Sequence, residues 1–213
     1  MRPRLLDLYC GAGGAAVGYA RAGFEVVGVD CVRQPRYPFA FHQADALEFV
    51  AAHGHEYDAI HASPPCQRYS KFSRNLGTAH RHPDLIAPTR RALRQTGKPY
   101  VIENVPGAPL ENPVLLCGSF FGLLVRRHRL FECSWSMLGT PCHHTGPSIG
   151  VYGNGTPTWH RKVLGRNVTV ADWKEAMGID WMTREGLAQA IPPAYTQFIG
   201  RSLLRVLEGE RAA

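Results

Sequence analysis

Long apolar runs, lysines, paired cysteines and internal repeats are all scarce in this 213-residue chain, and each scarcity excludes something. No apolar stretch approaches the roughly 20 residues that a membrane-spanning helix needs. The N-terminal segment MRPRLLDLYCGAGG reaches Asp7 and a glycine cluster before a signal-peptide apolar region can form, so a cytoplasmic protein is expected. Six cysteines, at 10, 31, 66, 117, 133 and 142, are irregularly spaced with no CxxC pair, which predicts reduced thiols rather than a disulfide framework. The absence of repeats and low-complexity tracts excludes solenoids and linker-rich chains. With 45% hydrophobic and 19% charged residues, the chain has the composition of a globular domain that buries a core. Acidic residues are also in short supply: 17 against 24 Lys and Arg, for a net charge of +7. Only four of the basic residues (Lys71, Lys98, Lys162, Lys174) are lysine, so 20 are arginine. Arginine binds phosphates and base edges in bidentate fashion, which suits a nucleic-acid partner, but a GC-rich coding genome produces the same excess.

The first half alternates between strand and helix patterns. Residues 4–9, 24–30, 57–62 and 99–103 read as strands, residues 15–22 and 46–53 as helices, and residues 83–96 as a helix interrupted at Pro88. This alternation predicts an α/β fold: a mostly parallel sheet with helices on both faces, whose ligands bind at the carboxyl ends of the strands. Asp7, Asp30, the segment 64–66 and Glu103 all fall at such ends. From about Cys133 to Trp159 the chain is rich in Gly, Pro, Thr and Ser without sustained period, and helical spacing returns at 173–177 and 196–207.

Four segments carry candidate chemistry. DLYCGAGG at 7–14 is a glycine-rich strand-to-helix turn with no Lys-Ser/Thr pair, which excludes the phosphate loop of nucleotide hydrolases. With Asp30 at the end of the next strand, where an acid binds ribose hydroxyls, the turn suits an adenosine cofactor. SPPCQ at 63–67 holds Cys66 in a proline-stiffened loop, either as a nucleophile activated by nearby charge or as a small buried residue. Glu103, followed by Asn104, Val105 and Pro106, is either a partly buried proton donor or a solvated turn acid. The run Arg126-Arg127-His128-Arg129 is either a phosphate-binding cluster or a solvated charge run.

Taken in order, these segments resemble the motifs of the cytosine carbon-5 DNA methyltransferase family. DLYCGAGG corresponds to the cofactor loop, SPPCQ to the nucleophile motif, Glu-Asn-Val at 103–105 to the acid motif, and Arg127-His128-Arg129 to Arg-x-Arg. Ala190-Ile191-Pro192-Pro193 resembles the last motif, which returns to complete the cofactor site. The resemblance covers most of residues 5–133 and then 187–207, and implies a Rossmann-like fold that uses S-adenosylmethionine.

It also implies a division of labour. Cys66 adds to cytosine carbon-6 so that carbon-5 becomes nucleophilic, Glu103 binds ring nitrogen 3 and the exocyclic amine, and Arg127 and Arg129 hold the cytosine carbonyl and the carboxylate in register. Asp7, Tyr9, Gly11, Gly13 and Pro65 are expected at the cofactor, with Asp30 on its ribose. Asp45 either contacts the adenine amine or caps the helix that follows. Gln67, Arg68, Ser70 and Lys71 match the loop that closes over double-stranded DNA, Arg74 could reach a phosphate, and the target base must leave the duplex. A monomer, with the short or lax target preference of a phage-like member, is expected.

Three departures stand against the family pattern. Val125 replaces a Gln, Ala188-Gln189 replace Gly-Asn in the last motif, and the target-recognition segment is short. The chain divides into a catalytic and cofactor-binding core at 1–133, an abbreviated recognition segment at 134–185, and a returning segment at 186–213. GVYGNGTPTW at 150–159, followed by His160, Arg161 and Lys162, suits a DNA-contacting loop. Cys133, Cys142, His143, His144 and His160 could form a zinc site there, but without CxxC or HxxxH spacing they are expected to be loop histidines and unpaired thiols, and no metal is expected.

Overall fold

Leu5, Leu6 and Leu8 are fully buried on alternating sides of one strand, which requires a sheet covered on both faces. A computed structural model describes residues 1–153 and 165–212 and contains that sheet. Its strands are β1 (Arg4–Leu8), β2 (Glu25–Asp30), β3 (Ala40–Gln43), β4 (Ala59–Ala62), β5 (Tyr100–Asn104), β6 (Val114–Leu116) and β7 (Arg129–Cys133), in the order β3-β2-β1-β4-β5-β7-β6. β1 to β5 run parallel, and β7 lies antiparallel between β5 and β6. The expected mostly parallel sheet is therefore present, extended by an antiparallel corner and by β3, which the sequence reading did not anticipate.

Helices α1 (Gly14–Ala22) and α7 (Pro193–Ala212) cover one face, packed on Leu5, Val26, Ala59, Val101 and Phe131. On the other face, α2 (Ala46–His53) and α4 (Ile86–Thr96) lie over Leu6, Leu8, Val27, Ile60 and Ile102. A third cluster gathers Val125, Val151, Trp173, Met177, Met182 and Leu187 around α5 (Val170–Met177) and α6 (Arg184–Gln189). The short α3 (Lys71–Asn75) lies in the loop after β4.

Pro88 does not interrupt α4, contrary to the sequence reading. It sits in the first turn, directly before Thr89, whose N–H makes the bond to Leu85 O at 3.0 Å. An amide at that position has no intrahelical acceptor, so the missing N–H costs nothing.

Chain connections run outward in both directions from β1 and β4, and ligands in such sheets bind at this reversal, beyond the carboxyl ends. Register also sets the polar groups at that rim. His61 is paired with Asp7 and Val101, and Phe131 with Glu103, so Asp7, His61, Glu103 and Arg129 share the α1 face.

Candidate active site

A cleft of about 680 Å³ opens at the reversal, walled by Asp7, Tyr9, Gly11, Asp30, Pro65, Cys66, Gln67, Glu103 and Arg129. Residues 182–191 close it from the opposite side. The acid motif is assembled by antiparallel pairing. Arg129 Nε lies 3.0 Å from Glu103 Oε1, and both side chains are nearly buried. Burial pushes the Glu103 carboxyl above its ordinary range, and Arg129 pulls it partly back. Cys66 is half-buried on the same cleft. Burial, then the negative charge of Glu103, holds its thiol above the ordinary range, against the pull of Arg129. Both effects oppose, at rest, the charge activation considered from sequence.

The nucleophile loop is tied to the acid strand by fully buried Asn104, whose Nδ2 donates to Pro64 O at 2.9 Å. Beneath Glu103 runs a buried polar chain. Ser63 bonds to the carboxylate, His61 Nε2 lies 2.9 Å from Ser63 Oγ, and His61 Nδ1 lies 3.0 Å from Tyr19 OH. Burial drops the His61 pKa to about 3, so the ring is neutral. The sequence reading missed His61 and Tyr19. The available signal was a histidine inside the otherwise apolar strand AIHA.

At the cofactor end, Asp30 Oδ2 accepts from Gly11 N at 3.0 Å and Oδ1 from Val32 N at 2.9 Å, so the acid also shapes the glycine turn. Gly11 has φ +48 with open space where a Cβ would point. Gly14 is needed for a different reason: a Cβ there would lie 2.5 Å from Ile191 O, which is how the 190s pack against the turn. Trp181 Nε1 donates to Ala12 O at 2.8 Å from the same side. Tyr9 lines the cleft with φ 56, its hydroxyl 3.0 Å from Thr89 Oγ1. Asp7 is fully buried and its Oδ1 has no partner; burial raises its pKa to about 8.

Several expected residues are engaged elsewhere. Arg127 does not pair with Glu103. Its guanidinium donates to Val151 O at 2.9 Å and Ala188 O at 2.7 Å, on a backbone with φ 30. Burial lowers its pKa to about 9. It pins the C-terminal wall to the arginine turn, while Tyr195 OH donates to Arg127 O at 2.9 Å from α7. Asp45 caps α2, its Oδ1 accepting from Leu47 N at 2.8 Å and Glu48 N at 3.0 Å, and is not among the cleft-lining residues. Gly13 is not among them either; a Cβ there would strike Pro38 at 2.8 Å. In the loop after the nucleophile, Arg68 donates to His82 O, Ser70 Oγ accepts from Ser73 N at the start of α3, and the Arg74 guanidinium lies over Gly107. Gln67 is exposed on the cleft. Lys71 begins α3. Arg161 and Lys162 lie outside the described residues.

The sequence profile of the C-5 cytosine-specific DNA methylase family matches residues 3–112, the stretch that supplies the glycine turn, Cys66 and Glu103. The chain belongs to that family. No curated protein matches this member of the C-5 cytosine methylases. Among solved structures it is similar to a prophage-encoded E. coli protein described as a DNA modification methyltransferase, at 15% identity and a TM-score of 0.64. It is also similar to the Entamoeba histolytica methyltransferase EhMeth (12%, 0.63) and the S. pombe Dnmt2 methyltransferase (13%, 0.62). Each alignment covers 97% of this chain and 99% of the other. At such identities these likenesses establish a shared Rossmann-like fold for this methylase. Among the described residues, no helix is long and apolar enough to cross a membrane.

Proposed function

We propose that the protein transfers a methyl group from S-adenosylmethionine to carbon-5 of a cytosine flipped out of double-stranded DNA, through a covalent adduct with Cys66. The observation that carries this reading is the convergence of Cys66, Glu103 and Arg129 on one cleft together with the 11–14 turn, Asp30 and Asp7. The cleft fits the cofactor. Its volume is in the range of small-molecule sites, and the unpartnered Oδ1 of Asp7 is a buried acceptor beside the turn. Asp7, Tyr9, Gly11, Asp30 and Pro65 would hold S-adenosylmethionine, which supplies an electrophilic methyl group when bound.

Glu103, with its raised proton affinity, would bond cytosine nitrogen 3 and the exocyclic amine, stabilising the ring as the sulfur adds to carbon-6. The Cys66 thiol must first give up its proton to solvent, a step favoured when the bound base engages the Glu103 carboxyl that opposes thiolate formation. After methylation, loss of the carbon-5 proton to solvent re-forms the 5,6 double bond and expels the Cys66 thiolate. Arg129 keeps Glu103 oriented and is free to share the cytosine carbonyl. Arg127 would act through Ala188 and Val151 rather than on the base. Gln67 would meet the DNA from the cleft mouth, with Arg68, Ser70, Lys71 and Arg74 following it in the same loop. Arg161 and Lys162, outside the described residues, would contact the DNA as basic side chains.

Duplex DNA bearing 5-fluorocytosine tests this, because fluorine cannot leave and the adduct persists. Wild type with S-adenosylmethionine should give a denaturant-stable protein–DNA band that Cys66→Ala abolishes. Adduct on RNA but not on DNA would overturn the DNA assignment, and no adduct on either would overturn the covalent mechanism.

A further inference from the structure

Cys117, His128, Cys142 and His144 come from three separate stretches of chain, yet their ligand atoms all lie within 4.8 Å of one another. Cys117 follows β6, His128 precedes β7 between the two arginines, and Cys142 and His144 sit two residues apart in the loop beyond β7. Cys117 Sγ is 3.4 Å from His144 Nε2, Cys142 Sγ is 3.4 Å from His128 Nε2, and the two Nε2 atoms are 3.1 Å apart.

Two thiols and two imidazoles converging through these atoms are poor neighbours without a bridging ion, since at most a few of the contacts can be hydrogen bonds at once. They are good neighbours around one. A tetrahedral zinc with Zn–S of about 2.3 Å and Zn–N of about 2.0–2.1 Å separates its ligand atoms by about 3.3–3.8 Å. The three short contacts need to open by a few tenths of an ångström, and the wider pairs, at up to 4.8 Å, to close by up to about 1 Å, to receive it.

We propose that these four side chains bind a structural zinc ion. Both thiols would release their protons on binding, so two thiolates and two neutral imidazoles balance the divalent charge. The donor set of two soft sulfurs and two nitrogens, with four protein ligands and no open position, is that of a closed structural site rather than a catalytic one. Of the residues considered from sequence, Cys142 and His144 belong to the cluster. Cys133 instead contacts Met137, His143 meets Ser119 through its backbone, and His160 lies outside the described residues. Cys117 is the one buried ligand and anchors the site to the sheet, whereas Cys142 and His144 are exposed. The ion would staple the loop beyond β7 to the turn that presents Arg127 and Arg129.

Elemental analysis of protein purified under reducing conditions with zinc present should find about one equivalent per chain. Cobalt exchanged into the site should give the visible absorption of a tetrahedral thiolate complex. Cys142→Ser and His144→Ala replace exposed loop side chains, so they should fold yet lose at least tenfold in bound zinc, while Cys31→Ser keeps it. Chelation of wild type should expose one additional thiol, that of Cys142, to a thiol-reactive dye. Absence of stoichiometric zinc and of cobalt colour in folded wild type overturns the proposal. So does retention of full zinc in both ligand variants, or a native mass two hydrogens light from a Cys117–Cys142 disulfide.

Discussion

On the parallel side of the cleft, Asp7, Asp30, Cys66 and Glu103 stand at or just past the ends of adjacent strands whose neighbours are buried on both faces by leucine, valine and isoleucine. On the opposite wall, residues 182–191 contribute only the short α6 with a small apolar cluster, and the chain is tied to the rest by discrete polar bonds: Arg127 to Val151 and Ala188, Tyr195 to the arginine turn, and Trp181 to Ala12. Hydrophobic packing is non-directional and shared among many contacts, so no single side chain decides it. Polar ties are few and each is decisive, because a carbonyl that loses its donor inside the protein loses most of its solvation with it. The site therefore joins a half fixed by the large core of the sheet to a half in which a smaller core is supplemented by individual polar ties.

The largest expected effect lies where α4 of the first half meets the antiparallel corner of the sheet. Arg90, on α4, pairs in bidentate fashion with buried Glu132 of β7 at 2.8 and 2.6 Å, and also donates to Pro109 O. Arg90→Met leaves a carboxylate uncompensated and should cost about 3–5 kcal/mol in urea unfolding, most of it recovered in Arg90→Met/Glu132→Leu. A loss below 1 kcal/mol would show that the joint is not held by this pair.

Next, Arg127→Met should cost about 2–3 kcal/mol. The loss should be uneven, with hydrogen exchange rising in residues 149–153 and 186–190 before it rises in β1 or β4. Uniform acceleration would erase the distinction between the halves.

Asp7 gives a pH-dependent version of the same contrast. Its folded pKa, raised from 3.8 to about 8, means that its contribution is present at low pH and is lost as pH rises across that interval. The slope is at most about 1.4 kcal/mol per pH unit. Asp7→Asn should flatten the fall in urea midpoint between pH 5 and pH 8; an unchanged fall would assign it to other groups.

The smallest effect is on Cys66 reactivity. Its alkylation by iodoacetamide should rise with pH along a curve displaced above that of an ordinary thiol, and Arg129→Gln should displace it further. A shift downward in that variant would reverse the assigned sign.

The half fixed by the large core of the sheet was also the legible one. Helix α2 falls on the residues expected for it, and Cys66 and Glu103 meet at the cleft as their positions at strand ends implied. β3 escaped notice because three of its four residues are exposed and it has no apolar pattern. β7 escaped because Glu132 makes RLFEC look like surface, and only a partner 42 residues away permits its burial. Arg127 is placed at the base only by the family resemblance, and the sequence carries no information about which carbonyls a guanidinium will find. The four clustered thiols and imidazoles have separations that match no familiar ligand pattern, since the sheet corner rather than local sequence brings them together.

The tight seat of the glycine turn has a consequence for how the protein acquires its activity. Gly14 and Gly18 accept the backbone of residues 191–197 so closely that no other side chain fits, and Thr196 donates to Ala15 O across 181 residues of sequence. Closing so long a loop is among the slowest contacts the chain can make. During synthesis, the first strand and its turn leave the ribosome long before the segment that completes them. Until then the turn has no lid and the cleft only three sides, so catalytic competence arrives late in folding, with α7.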